Sequence, residues 1–274
     1  MDANNFNIGI IGLGTVGIST IKMIEANSEL ILNRCGKKIN IIAISARDKK
    51  KNRGINLKKY KWFDDPIKLV EFDNLDIVIE LVGGEKGVAL EVINKAFKLD
   101  RHVITANKAL VANSGFKLAK EAESKKLLFY FEAAVAGGIP IIKSIRESLA
   151  GNKITRVVGI LNGTCNYILS EMAKSSRSFL EVLDEAKESG YAEDDPTFDI
   201  GGIDAAHKLS ILASLSFGIK PSFDQIYIEG IERVETIDFV YARKLGYQIK
   251  LLGLTELVEV ENNDHISIYQ YVYP

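Results

Sequence analysis

Short apolar runs alternate with amphipathic segments through the first half of the chain. Residues 7–12 (NIGIIG), 38–45 (KINIIAIS), 76–82 (DIVIELV), 102–105 (HVIT) and 127–131 (LLFYF) read as strands. The run at 76–82 is nearly all apolar, as a central parallel strand should be. Residues 18–25, 86–98 and 114–125 have helical patterning, and Asp65-Pro66 marks a helix start, with Asp65 as N-cap and Pro66 in the first helical position. This alternation predicts an α/β fold, with a doubly wound parallel sheet over residues 1–137.

The pattern changes after the Gly-rich turn Glu132-Ala133-Ala134-Val135-Ala136-Gly137-Gly138-Ile139-Pro140, which reads as a hinge. Helices are expected at 140–149, from about 162, at 179–189, 203–217 and 236–245. Strands are expected at 152–161, 248–260 and 265–273, the last two around an Asn262-Asn263-Asp264 turn. Residues 138–274 therefore form a second, α+β domain, in which the two last strand-like segments end without elements that would cover or pair with them.

Composition narrows the class. The 274 residues are 47% hydrophobic and 26% charged, and 35 basic against 36 acidic residues leave no bias toward nucleic acid or membrane surfaces. The N-terminus lacks the basic and apolar regions of a secretory signal, and no apolar run reaches membrane-spanning length. Cys35 and Cys165 have neither metal spacing nor a disulfide framework, which fits a reducing cytoplasm. Cys165 lies in the apolar-flanked NGTCNYIL, where a packed thiol is expected rather than a nucleophile.

Gly12-Leu13-Gly14-Thr15-Val16-Gly17 joins the first strand to the first helix. A G-x-G-x-x-G turn in that setting lets a pyrophosphate approach a helix N-terminus, which makes the first domain Rossmann-type. The second strand runs into Ala46-Arg47-Asp48-Lys49-Lys50-Lys51-Asn52-Arg53. Arg47 and the lysines suit the 2′-phosphate of NADP, while Asp48 keeps NAD open and simple solvation would also explain the charges. Gly83-Gly84 ends the third strand near where a nicotinamide ribose would lie. Lys108 follows the strand at 102–105, at the edge where open parallel sheets bind ligands, though on its own a single loop lysine reads more simply as a solvated one.

The most informative stretch is residues 186–208, AKESGYAEDDPTFDIGGIDAAHK. Gly190 stops a helix, an acidic loop with Glu193 and Pro196 follows, and Gly201-Gly202 opens the next helix. Asp204 and Lys208 lie four apart on one face, which continues into Ile211, Leu212 and Leu215 and is therefore partly buried. A lone pair of this kind is ordinarily a structural ion pair. Burying charge without an offsetting role is costly, and Glu193 adds a third ionisable group, so a site for a small zwitterion is expected.

The spacing A-x3-G-Y-x3-D-P-x2-D-I-x-G-x-D-x3-K, complete here, closely resembles the homoserine dehydrogenase signature, and Thr105-Ala106-Asn107-Lys108-Ala109-Leu110 is similar to that family's T-A-N-K-A-L. The resemblance implies an NAD(P)-dependent oxidoreductase of threonine, methionine and isoleucine biosynthesis, interconverting L-homoserine and L-aspartate 4-semialdehyde. It implies Lys208 as proton donor, with Asp204 orienting it and Lys108, facing both cofactor and substrate, as the alternative donor. Glu193, Asp199, Tyr191 and the Gly163-Thr164 helix start would bind the amino acid; Gly12, Gly14, Thr15, Val16, Gly17, Arg47, Gly83 and Lys108 would bind the cofactor. Glu132 and the carbonyls of Val135, Gly137 and Ile139 would hold a monovalent cation, sodium by the family's pattern. A cytoplasmic homodimer is implied if the chain is complete. The family's catalytic region continues past residue 274 and returns to the nucleotide domain, so the resemblance covers nearly all of this chain but only part of that pattern.

Two rivals stand beside this reading. One is another two-domain Rossmann dehydrogenase, such as an aspartate-semialdehyde dehydrogenase, which needs a cysteine nucleophile with a base beside it. A non-catalytic cofactor-binding fragment needs no substrate site at all.

Overall fold

The computed structural model describes residues 5–220, 223–259 and 266–274, which fall into two compact units, residues 1–138 and 139–274. The first unit runs β1 (Asn5–Ile11), α1 (Thr15–Ala26), α2 (Ser28–Cys35), β2 (Lys38–Ser45), β3 (Lys61–Phe63), α3 (Pro66–Val70), β4 (Ile77–Glu80), α4 (Val88–Lys98), β5 (His102–Thr105), α5 (Lys108–Ser124), β6 (Phe129–Tyr130) and α6 (Ala133–Ala136). Its six strands are all parallel, in the order β3-β2-β1-β4-β5-β6, with helices on both faces. The strand order reverses between β1 and β4, so the C-terminal ends of those two strands border the crevice where such sheets bind ligands.

Local chemistry explains most boundaries. The Asp65 side chain accepts from Ile67 N at 2.8 Å with Pro66 just inside α3. β1 and β4 bury Ile8, Ile10, Val78 and Ile79 between the helix layers. Helix α5 begins at Lys108, six residues before the expected start, because the Asn107 side chain accepts from Leu110 N and caps it there. Three elements of this unit escaped the sequence pattern: α2, β3 and the four-residue α6 within the turn read as a hinge. Helix α2 carries no buried face, and β3 is only three residues long.

The second unit runs α7 (Ile141–Lys143), a π-helical turn (Ser144–Ser148), β7 (Arg156–Gly159), α8 (Gly163–Ser175), α9 (Phe179–Glu188), α10 (Thr197–Ile200), α11 (Ile203–Phe217), β8 (Tyr227–Ile228), α12 (Thr236–Lys244), β9 (Leu252–Glu259) and β10 (Ile266–Tyr273). The sheet order is β7-β9-β10-β8, antiparallel except for the parallel β10–β8 pair. The expectation that the last two strands lack partners is therefore wrong: they pair with each other, β7 flanks β9, and β8 flanks β10. Helix α11 packs on this sheet, where Gly253 lets Leu161 and Leu209 approach the β9 backbone. Cys165, Ile168 and Leu169 of α8, Val182 of α9, Leu209 of α11 and Val272 of β10 share the core. The expected Asn262-Asn263-Asp264 turn and the strand ends at Val260 and His265 lie outside the described residues.

Candidate active site

The candidate nucleotide site is built at the C-terminal edge of the first sheet. Gly12 has φ +99°, and a Cβ there would lie 2.5 Å from Leu81 O, so only glycine lets β1 and the chain leaving β4 come this close. Gly17 packs against the Gly12 carbonyl just as tightly. A side chain at Gly14 would instead meet open space, so the fold does not demand glycine there, whereas a pyrophosphate approaching the backbone does. Thr15 and Val16 open α1 with no side-chain cap, leaving their amides as donors for an anion.

Arg47 and Lys49 to Lys51 are exposed just beyond β2. Arg53 ties this basic loop to the Gly-rich turn. Its Nε donates to Leu13 O at 3.2 Å, and its terminal nitrogens donate to Asp48 O at 2.6 Å and Lys51 O at 3.0 Å. Sequence reading grouped Arg53 with its neighbours and gave it no separate role; a contact across forty positions leaves no local signal.

Gly83 and Lys108 lie at the two ends of a polar network absent from the sequence reading. Glu80, the last residue of β4, is 0% exposed. Its Oε1 accepts from Val82 N at 2.6 Å and Gly83 N at 3.3 Å, and its Oε2 accepts from Thr105 Oγ1 at 2.6 Å. Thr105 Oγ1 accepts from Asn107 N at 3.0 Å, and Asn107 Nδ2 donates to Gly84 O at 2.6 Å. Lys108 follows as the first residue of α5.

A second candidate site, within the second unit, centres on α11. Lys208 Nζ donates to Asp204 Oδ2 and to Leu161 O, both at 2.7 Å. Asn162 Nδ2 donates to Asp199 Oδ1 at 2.8 Å and to Asp204 Oδ2 at 2.9 Å, while its Oδ1 caps α8 through Cys165 N at 2.8 Å. One asparagine thus starts a helix and bridges two carboxylates that would otherwise repel. Its position before Gly163-Thr164 at a helix entry was the available signal. Thr164 Oγ1 donates to Tyr191 O at 3.1 Å, and Tyr191 stacks on Tyr167 with centroids 4.2 Å apart.

The expected convergence of Glu193 with Asp204 and Lys208 is not made through a direct side-chain contact. Glu193 is exposed, and among the described residues it has no hydrogen bond or ion pair to either. A lone carboxylate on a wet loop loses nothing by staying hydrated, and Asp199, held by Asn162, takes the inner position. Cys165 is buried, and burial first, then the Asp199 and Asp204 charges, push its thiol up to about 12. That leaves no activated cysteine beside the pair. In the first unit, Glu132 precedes α6, with Val135 buried within it and Gly137 at its end; Ile139 opens the second unit and is exposed.

A family model described as homoserine dehydrogenase, NAD binding domain, matches residues 12–132, and one described as homoserine dehydrogenase matches residues 140–270. The homoserine dehydrogenase of Neisseria gonorrhoeae is 47% identical over 249 residues, which cover 91% of this chain and 57% of that protein. The crystal structure of a homoserine dehydrogenase from Thiobacillus denitrificans superposes with TM-score 0.92 at 43% identity, covering 99% of this chain and 61% of that one. A hyperthermophilic archaeal homoserine dehydrogenase in complex with NADPH gives TM-score 0.79 at 26% identity, over 98% of this chain and 81% of that one. The chain spans 57% of the length of the first curated relatives it matches. Over the length it has, the chain belongs to the homoserine dehydrogenase family.

Proposed function

We propose that the chain carries the nucleotide- and substrate-binding machinery of an NAD(P)-dependent homoserine dehydrogenase, interconverting L-homoserine and L-aspartate 4-semialdehyde. The observation that carries this reading is the shielded Asp204–Lys208 pair with Leu161 O as second acceptor. An ammonium group has three donors. With two engaged, one N–H of Lys208 remains for the reacting oxygen of the substrate. Lys208 then gives its proton to that oxygen during aldehyde reduction and recovers it during alcohol oxidation. Asp204 and Leu161 O aim the ammonium, and Asn162 holds Asp204 in place. Asp199, Tyr191, Gly163, Thr164 and Glu193 bind the amino and carboxylate groups of the amino acid. Lys108 stands as the alternative proton donor.

A bound nicotinamide supplies or accepts the hydride. Gly12, Gly14, Thr15, Val16 and Gly17 hold its pyrophosphate, and Gly83 and Lys108 bound its ribose. Arg47 favours NADP over NAD through the 2′-phosphate, a reading supported by the NADPH bound in the archaeal relative. Glu132 with the carbonyls of Val135 and Gly137 offers only oxygen donors, which fit a hard monovalent cation such as sodium. Val158, Leu254, Tyr271 and Tyr227 fall in one register row across the second sheet, on the side opposite α11, and this row supports a homodimer. A cytoplasmic location accords with the amino-acid substrate; among the described residues no helix is long and apolar enough to cross a membrane.

Turnover of L-homoserine with NADP⁺ and with NAD⁺, followed by the absorbance of the reduced nicotinamide, tests the reading. A chain that binds cofactor and oxidises other short alcohols but not homoserine would overturn it.

A further inference from the structure

Glu80 is a costly residue for its place. It ends an otherwise apolar strand, is fully buried, and among the described residues has no lysine or arginine partner. A buried carboxylate survives only if hydrogen bonds replace its water. Here the replacements form a closed ring. The amides of Val82 and Gly83 donate to Glu80, which accepts from Thr105; Thr105 accepts from the Asn107 amide; and the Asn107 side chain returns to Gly84 O. Thr105 and Glu80 are register partners on adjacent strands, so the ring spans the β4–β5 seam.

The Thr105 hydroxyl has one proton, spent on Glu80, so the same oxygen must accept from Asn107. The ring therefore has one direction. It fixes the turn at Gly83-Gly84 and the first residue of α5 relative to each other, and Leu81 N–H to Ile11 O at 2.8 Å locks both to the Gly-rich turn. A valine in place of Glu80 would serve the core alone and fix neither.

We infer that Glu80, acting through Thr105 and Asn107, is a positioning residue that sets the Gly83 turn and Lys108 in register for the nicotinamide end of the cofactor. The inference rests on the proposed dehydrogenase reading for its purpose, though not for its geometry.

The decisive comparison is Thr105→Val against Thr105→Ser in the 274-residue chain, with Glu80→Gln beside them. Valine keeps the shape and removes the hydroxyl; serine restores it. Amide exchange at Val82, Gly83 and Asn107, NADPH affinity by nucleotide fluorescence, and KM and kcat for homoserine are read together. Thr105→Val is expected to speed exchange at those amides and weaken NADPH about tenfold, with serine returning both to within about twofold. Equal losses in the valine and serine variants would mean packing and overturn the inference. So would a folded Thr105→Val chain with unchanged exchange and NADPH affinity. If Glu80→Gln fails to fold, the threonine pair still decides. Exchange and affinity changes in a chain without homoserine turnover would sink the enzymatic reading and leave the ring standing.

Discussion

Asp204 and Lys208 face each other one turn apart on α11, with Nζ 2.7 Å from Oδ2 and side chains only 3% and 17% exposed. A pair this shielded has structural and chemical duties that can be separated. Lys208→Ala leaves Asp204 buried without its cation and should cost about 3 kcal/mol in urea unfolding. The same change should lower homoserine turnover by roughly 10²–10⁴-fold with cofactor affinity nearly unchanged. The double variant Asp204→Asn/Lys208→Met should recover most of the stability and none of the turnover. If Lys208→Ala stays within a few-fold of the parent while Lys108→Ala is inactive, Lys108 is the donor.

Asn162 joins three tasks in one side chain. Asn162→Ala removes the α8 cap, worth about 1 kcal/mol, and strips one donor from each of two carboxylates. The combined loss should be about 2–4 kcal/mol. Asn162→Asp keeps the cap but adds a third negative charge beside Asp199 and Asp204. It should therefore be more damaging to turnover than its stability loss would suggest. Equal stability of both variants and the parent, by urea titration, would contradict the bridging role.

The two arginines beside β2 should behave differently. Arg47 is exposed at the strand end, and Arg47→Ala should weaken NADPH selectively. Arg53 is spent on the carbonyls of Leu13, Asp48 and Lys51, so Arg53→Ala should loosen the Gly-rich turn and weaken both nucleotides. Fluorescence titrations with NADPH and NADH check both. Equal losses for Arg47→Ala would sink the 2′-phosphate assignment.

Cys165 gives a pH signature. Its thiol is pushed up to about 12 in the fold, against about 8.5 in an unfolded chain. The neutral thiol is favoured in the native state, so its contribution is fully present below the unfolded value and is lost as pH rises toward 12. Cys165→Ala should therefore flatten the fall in stability between about pH 9 and 11. At pH 8, iodoacetamide should label exposed Cys35 and spare Cys165 in the native chain, as peptide mass spectrometry would reveal.

Residues whose signals are local were legible in the sequence. Strands β2 and β5 and helix α11 begin and end where their patterns do, because Gly202 and Gly218 bound α11 in left-handed conformations and apolar runs bound the strands. The spacing of Asp204 and Lys208 and their apolar neighbours foretold a shielded pair. What stayed hidden needs a partner from far along the chain. Glu80 reads as one charge in an apolar strand until Thr105 comes alongside it. Arg53 reads as one basic residue among several until Leu13 O is seen against it. Glu193 stays on the exposed loop, while the chain turning through α10 brings Asp199 to Asn162.

The place of β10 in the second sheet has a consequence for how the chain is made. The six described strands of the first sheet have all been made once Tyr130 has left the ribosome, and they can pair while synthesis continues. In the second sheet, β8 is made before β9 but, among the described residues, pairs only with β10, which follows both. Until residues 266–273 emerge, β9 has a bare edge and α11 lacks part of the surface it packs on. A nascent chain paused between β9 and β10 would hold that sticky intermediate open to chaperones and to its neighbours on the polysome.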